Sequence, residues 1–175
     1  TKNEFLQKLA DGLEGRMAEI LSANAEDVTE AEGKLSPAMV DRLMLNEQRI
    51  RGIARDVLNV ASLPDPAGEI FGETTNPNGL RIHKERIPIG VIAVIYESRP
   101  HVTVDTASLM IKSGNAAILR GGKETIRTNK VFIAIIREAL AASGISSDAI
   151  QFIDSPDRNL LMELLTMDET VDMVI

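Results

Sequence analysis

The sequence predicts an α/β protein in which N-terminal helices and a β-hairpin precede a doubly wound, Rossmann-like parallel sheet. Three observations predict it. Apolar residues recur at helical spacing through 1–63. An Asn-Pro-Asn-Gly sequence at 76–79, a strong turn signal, separates two short strand-like stretches. From 89 onward, short apolar runs alternate with helical stripes, and right-handed crossovers fold such a series into a parallel sheet. The chain therefore divides into a helical segment over 1–63, a hairpin over 69–86 and a βαβαβαβ unit over 87–175.

The elements follow in order. Leu6, Leu9, Leu13, Met17, Ile20 and Leu21 form one helical stripe. Ser36 with Pro37 supplies an N-cap and a first-turn proline, and Asn46 caps a helix that carries Ile50, Ile53, Ala54, Val57 and Leu58. Leu63-Pro64-Asp65-Pro66 stops it. Strands at 69–75 and 80–86 flank Asn78-Gly79, which tolerates positive φ. The β-branched run at 89–96 predicts a strand covered on both faces. A helix over 103–112 follows, with Asp105 placed in its first turn, where the dipole favours an anion, and Gly114 ends it. After a strand at 116–120 comes a helix with Val131, Phe132, Ile135, Ile136, Ala139 and Leu140, closed by Gly144. A strand at 149–153, a Ser155-Pro156-Asp157 helix start before Leu160, Leu161, Leu164 and Leu165, and a strand at 171–175 complete the series.

Composition narrows the function. A net charge of −7, with one Tyr and no Trp, argues against a nucleic-acid partner, which calls for a broad basic face and stacking platforms. The longest apolar run, 89–96, is far below the roughly 20 residues a helix needs to cross a bilayer, so no membrane partner is expected. The N-terminus mixes charges of both signs instead of resembling a secretion signal. With no cysteine there is no disulfide framework, which fits a reducing compartment and makes a cytoplasmic location the expectation. His83 and His101 are far apart, and no metal site is expected.

In an open parallel sheet the ligand crevice lies beyond the carboxyl ends of the strands, here the loops after Tyr96, Arg120 and Ile153. Arg120 ends its strand, Gly121 and Gly122 permit close backbone approach, and Lys123 and Arg127 add cations near a helix start. That set suits a phosphate-bearing ligand; equally, it is a tight strand-to-helix turn with solvated cations. In the loop after the first strand of the unit, Ser98 offers a donor for a developing oxyanion and Arg99 a clamp for a carboxylate or phosphate. The alternative there is an ordinary loop with a structural Arg–Glu pair. No G-x-G-x-x-G follows a strand, so the usual dinucleotide fingerprint is missing.

Ile-Pro-Ile-Gly-Val-Ile at 87–92, Tyr-Glu-Ser-Arg-Pro at 96–100, Val-Thr-Val-Asp at 102–105, Lys-Ser-Gly-Asn at 112–115 and Ile-Leu-Arg-Gly-Gly-Lys-Glu at 118–124 together carry a resemblance. So do Ala-Asn-Ala-Glu-Asp at 23–27, Pro-Asn-Gly-Leu-Arg-Ile at 77–82 and Met-Asp-Glu-Thr-Val-Asp-Met-Val-Ile at 167–175. The chain resembles the N-terminal part of the gamma-glutamyl phosphate reductases, also called glutamate-5-semialdehyde dehydrogenases, of the aldehyde dehydrogenase superfamily.

The resemblance implies NADPH-dependent reduction of L-glutamyl 5-phosphate to glutamate 5-semialdehyde with phosphate release, on the route from glutamate to proline. A cysteine thiolate would attack the acyl phosphate, and the resulting thioester would accept hydride. On this reading residues 1–175 form an N-terminal cofactor-binding domain. Arg120 stands where the superfamily has a ribose-contacting lysine, Gly121, Gly122 and Lys123 follow it, and arginine with lysine suits the 2′-phosphate of NADPH. Ser98 falls near the position of the superfamily's oxyanion-binding asparagine, and Arg99 is a substrate-binding candidate. His101 departs from the asparagine expected there. The family's catalytic cysteine has no counterpart among these residues, so the chain is expected to be part of a longer polypeptide and inactive alone. A homo-oligomer is expected of the full-length protein. The alternative is a stand-alone nucleotide-binding or assembly module without catalysis.

Overall fold

The computed structural model describes residues 1–175. Helices α1 (Lys2–Gly15) and α2 (Met17–Ala31) share the first apolar stripe but are separate, because the chain leaves helical geometry at Arg16, with φ −107° and ψ 23°. Arg16 holds that corner by donating to Glu19 at 2.8 Å and to Glu138 of a later helix at 3.0 Å. The bend lets Leu6, Leu9, Leu13 and Ile20 all reach full burial in one core. In α3 (Pro37–Leu43) the Ser36 hydroxyl accepts the Met39 amide at 3.4 Å, and in α4 (Glu47–Ser62) the Asn46 side chain accepts the Arg49 amide at 2.8 Å. Both starts match the caps read from the sequence.

Strands β1 (Ile70–Thr75) and β2 (Arg81–Glu85) form the antiparallel hairpin. Gly79 turns it at φ +87°, and Asn78 accepts the Leu80 amide at 3.1 Å. Every residue of both strands is exposed.

The remaining elements are β3 (Val91–Ile95), α5 (His101–Ser113), β4 (Ala116–Arg120), α6 (Ile126–Ala142), β5 (Ile150–Phe152), α7 (Asn159–Leu164) and β6 (Met173–Val174). The sheet is parallel throughout, in the order β5-β4-β3-β6. The chain steps outward from β3 to β4 to β5, then returns to the far side of β3. Strand order therefore reverses beside β3, which is where an open α/β sheet opens a crevice. Right-handed crossovers put α5 and α6 on one face and α7 on the other. Ile92, Val94, Ala117, Leu119 and Ile150 point from the first face into a core shared with α1, α2, α4, α5 and α6. No helix is long and apolar enough to cross a membrane.

Two elements start elsewhere than the sequence suggests. Helix α5 begins at His101, directly after Pro100, so Asp105 lies beyond the first turn and is not a dipole partner. Ser155-Pro156-Asp157 is a turn ahead of α7: the Ser155 hydroxyl accepts the Asp157 amide at 3.2 Å and Asp157 accepts the Asn159 amide at 2.9 Å. Helix α7 itself starts at Asn159.

Candidate functional site

The ends of β3 and β4 are tied together. The Tyr96 amide donates to the Arg120 carbonyl at 3.0 Å, so the loop after β3 and the Gly121-Gly122 turn leave the sheet side by side. A buried polar chain then crosses between them. The Tyr96 hydroxyl lies 2.7 Å from the Thr103 hydroxyl, which donates to Asn129 Oδ1 at 2.8 Å. Asn129 Nδ2 donates to the Thr125 hydroxyl at 2.9 Å, and that hydroxyl donates to the Gly122 carbonyl at 2.9 Å. Because Thr103 spends its proton on Asn129, Tyr96 must be the donor to Thr103. Burial pushes the Tyr96 phenol up to about 12, which keeps it protonated for that role.

These contacts explain the two glycines. A Cβ on Gly121 would sit 2.5 Å from Asn129 Nδ2 and 3.1 Å from the Tyr96 ring. On Gly122 it would strike the Ser98 hydroxyl. Gly122 has φ −62°, so the demand is for space and not for a left-handed backbone. The space is taken by the protein's own side chains. Ser98 also donates to Glu124 Oε2 at 2.5 Å, fastening the β3 loop to the turn before α6, and its single proton is committed to that carboxylate.

The predicted cations separate on inspection. Arg120 Nη2 reaches only the carbonyls of Pro156 and Asp157, at 3.5 and 3.3 Å, and its Nε is buried without an acceptor. Lys123 is exposed and forms no ion pair or hydrogen bond, at the edge of a 570 Å³ groove lined by Lys34 and Lys130 and also by the carboxylates of Asp27, Glu30 and Glu124. Arg127, by contrast, is held by Glu26 at 3.3 Å, Asp27 at 3.3 Å and Glu30 at 2.7 Å, and its pKa is raised by the Glu30 hydrogen bond first and then by that of Asp27. The start of α6 is taken as well: Asp27 accepts the amides of Arg127 at 3.3 Å and Thr128 at 2.8 Å. The usual phosphate position at a helix N-terminus is thus filled by a carboxylate, and the cations at this turn that no carboxylate pairs with are Arg120 and Lys123. An orphaned guanidinium Nε and an unpaired ammonium three residues apart suit a phosphate-bearing group.

Arg99 opens on a different groove, of 460 Å³, between α4 and α5. His101, Asp56 and Asp105 also line it, whereas His83 lies exposed in β2. Arg99 forms no ion pair there, and its Nε is buried without a partner. Burial raises the pKa of Asp105, opposed by the charge of His101 and reinforced by that of Asp56. The β3 loop therefore divides two clefts, Arg99 facing one while Ser98 abuts the turn that borders the other.

Thr103, Thr125 and Asn129 have no exposed surface, and sequence reasoning passed over them. Their signal was polar residues in register with an apolar stripe: Thr125, Thr128, Asn129 and Phe132 share one helical face.

Comparison with known proteins bears on this arrangement. No protein-family model matches the chain. Gamma-glutamyl phosphate reductases of Escherichia fergusonii and Escherichia coli O1:K1 are 53% and 52% identical to it over 175 residues, 99% of this chain and 42% of theirs. The crystal structure of gamma-glutamyl phosphate reductase from Thermotoga maritima superposes with a TM-score of 0.94 at 42% identity, again covering 99% of this chain and 42% of that one. The chain matches one part of the gamma-glutamyl phosphate reductases. It spans less than half the length of these reductases. The Saccharomyces cerevisiae reductase gives a TM-score of 0.90 at 32% identity, covering 99% of this chain and 44% of that one. An NAD-dependent aldehyde dehydrogenase from Sinorhizobium meliloti shares the fold, with a TM-score of 0.73 at 20% identity over 99% of this chain and 32% of that one. The fold of this chain is thus shared with one part of an aldehyde dehydrogenase.

Proposed function

We propose that this chain is the cofactor-binding part of an NADPH-dependent gamma-glutamyl phosphate reductase, which converts L-glutamyl 5-phosphate to L-glutamate 5-semialdehyde and phosphate in proline biosynthesis in the cytoplasm. The observation that carries the reading is the two cations after β4 that no carboxylate pairs with, Arg120 with its orphaned Nε and Lys123 with no hydrogen bond. Arg120 and Lys123 hold the 2′-phosphate on the adenosine ribose, and the backbone of Gly121 and Gly122 borders it. NADPH supplies the hydride that reduces the acyl carbon.

Ser98 and Arg99 serve the other end of the reaction. Arg99 binds substrate, and the Ser98 hydroxyl becomes an oxyanion donor once Glu124 releases it. The 175 residues contain no cysteine, so the thiol nucleophile is supplied from outside them and the chain alone turns nothing over. The full-length protein assembles as a homo-oligomer, with the exposed hairpin available as an interface.

The test is a pair of assays. The full-length protein containing this sequence should oxidise NADPH with L-glutamyl 5-phosphate and release phosphate in equal amount. The purified 175-residue chain should bind NADPH without turnover. Turnover by the chain alone, or NADPH oxidation by the full-length protein without phosphate release, contradicts the assignment.

A further inference from the structure

The turn after β4 has no side chain of its own at its centre. Gly121 and Gly122 give the backbone between Arg120 and Lys123 a wide choice of shapes, and glycine loses more conformational freedom on ordering than any other residue. The only hydrogen bonds that either glycine makes are the two that the Gly122 carbonyl accepts from Thr125, the amide at 3.2 Å and the hydroxyl at 2.9 Å. Ties on either side stop short of the pair: the Tyr96 amide reaches the Arg120 carbonyl, and Ser98 reaches Glu124.

Thr125 directly precedes α6, and its hydroxyl is aimed by Asn129 of that helix, whose Nδ2 donates to it at 2.9 Å and lies against Gly121. Asn129 is fixed from its other end by Thr103 of α5, and Thr103 by Tyr96. Every proton along this chain runs one way, towards the Gly122 carbonyl. Apolar residues of similar shape would fill the same volume with no polar group to satisfy; a fully satisfied buried chain instead fixes one arrangement. What it fixes is the peptide between Gly122 and Lys123, and so the direction in which Lys123 leaves the turn. The cations do not fix themselves, since Arg120 reaches only two carbonyls, at 3.3 and 3.5 Å, and Lys123 reaches nothing.

We infer that Thr125 and Asn129 are positioning residues for the cofactor's phosphate: Asn129 aims the Thr125 hydroxyl at the Gly122 carbonyl, and the turn so held sets Arg120 and Lys123 on the phosphate. The inference rests on the reading of this turn as the 2′-phosphate site of NADPH. Both residues have no exposed surface, so they act through the backbone and touch no cofactor atom. Loosening the turn therefore weakens NADPH selectively, because NADH lacks the 2′-phosphate.

Fluorescence titration of NADPH and NADH into the full-length protein tests this. Thr125→Val keeps the shape of the side chain and removes the hydroxyl; it should weaken NADPH about tenfold and NADH less than about threefold. Thr125→Ser retains the hydroxyl and should stay within about threefold of the parent for both. Asn129→Leu leaves the Thr125 hydroxyl in place but unaimed, should also weaken NADPH more than NADH, and serves the test where Thr125→Val does not fold. Ile136→Val, a fully buried change further along α6, should lower the melting temperature with the preference for NADPH intact. NADPH weakened no more than NADH by Thr125→Val and Asn129→Leu, or Thr125→Ser behaving as Thr125→Val, overturns the inference. Arg120→Ala locates the failure. If it weakens NADPH while Thr125→Val does not, the positioning role alone falls; if it leaves NADPH unaffected, the reading of the turn falls and the positioning role with it.

Discussion

Asp27 of α2 accepts both the backbone amide of Thr128 at 2.8 Å and its hydroxyl at 2.7 Å, capping α6 from 101 residues away in sequence. Its side chain is 1% exposed. A carboxylate so placed joins the helical segment to the start of the helix that follows the Gly121-Gly122 turn, so the fold of the N-terminal helices positions that turn.

Removing that carboxylate should be expensive. Asp27→Ala leaves two amides and a hydroxyl without acceptors and should lower unfolding free energy by about 3 kcal/mol, with Asp27→Asn recovering about half. Urea denaturation measures both. A loss under about 0.5 kcal/mol for the alanine variant would mean that α6 is capped by solvent instead.

Gly122→Ala should cost about 1–3 kcal/mol, because the added Cβ meets the Ser98 hydroxyl. The cost should fall in a Ser98→Gly background. A double-mutant cycle with no coupling would separate the glycine requirement from Ser98.

Thr103→Val keeps the shape of the side chain but removes the link between Tyr96 and Asn129. It should destabilise by about 1–3 kcal/mol, since Asn129 Oδ1 loses its donor in a fully buried place. Thermal denaturation beside Tyr96→Phe checks it; a Thr103→Val protein as stable as the parent would contradict the buried chain.

Much of this was legible because it is local. Asn46, Ser36 and Gly114 act within a few residues of themselves, and the runs that became β3 and β4 needed only a period to be recognised. The break at Arg16 was hidden, because two helices meeting at a one-residue corner keep nearly the same apolar spacing. Asp105 was misplaced within its helix because Pro100 moves the start to His101, and the carboxylate then faces α4 instead of the dipole. The pairing of Arg127 with Glu26, Asp27 and Glu30 joins residues about a hundred positions apart, beyond the reach of any spacing rule. Arg120 and Lys123 could be read from the sequence as cations of this turn, and no carboxylate in the fold pairs with either.

Asp105 makes a pH-dependent prediction. Burial raises its folded pKa above the unfolded value, so its ionisation opposes folding; that penalty is fully present above the folded pKa and absent below the ordinary value of 3.8. Asp105→Asn should therefore raise the melting temperature at neutral pH, with the gain shrinking as pH falls towards 3.8. A gain that grows on acidification would reverse the sign of the argument.

The central claim is that the end of β4 reads the 2′-phosphate of NADPH. Fluorescence titration of NADPH and NADH into the full-length protein and its Arg120→Ala and Lys123→Ala variants measures it directly. The account predicts that each variant weakens NADPH by about 10- to 100-fold, as loss of a charge-assisted phosphate contact should, and NADH by less than about threefold. NADPH affinity unchanged in both variants would contradict it.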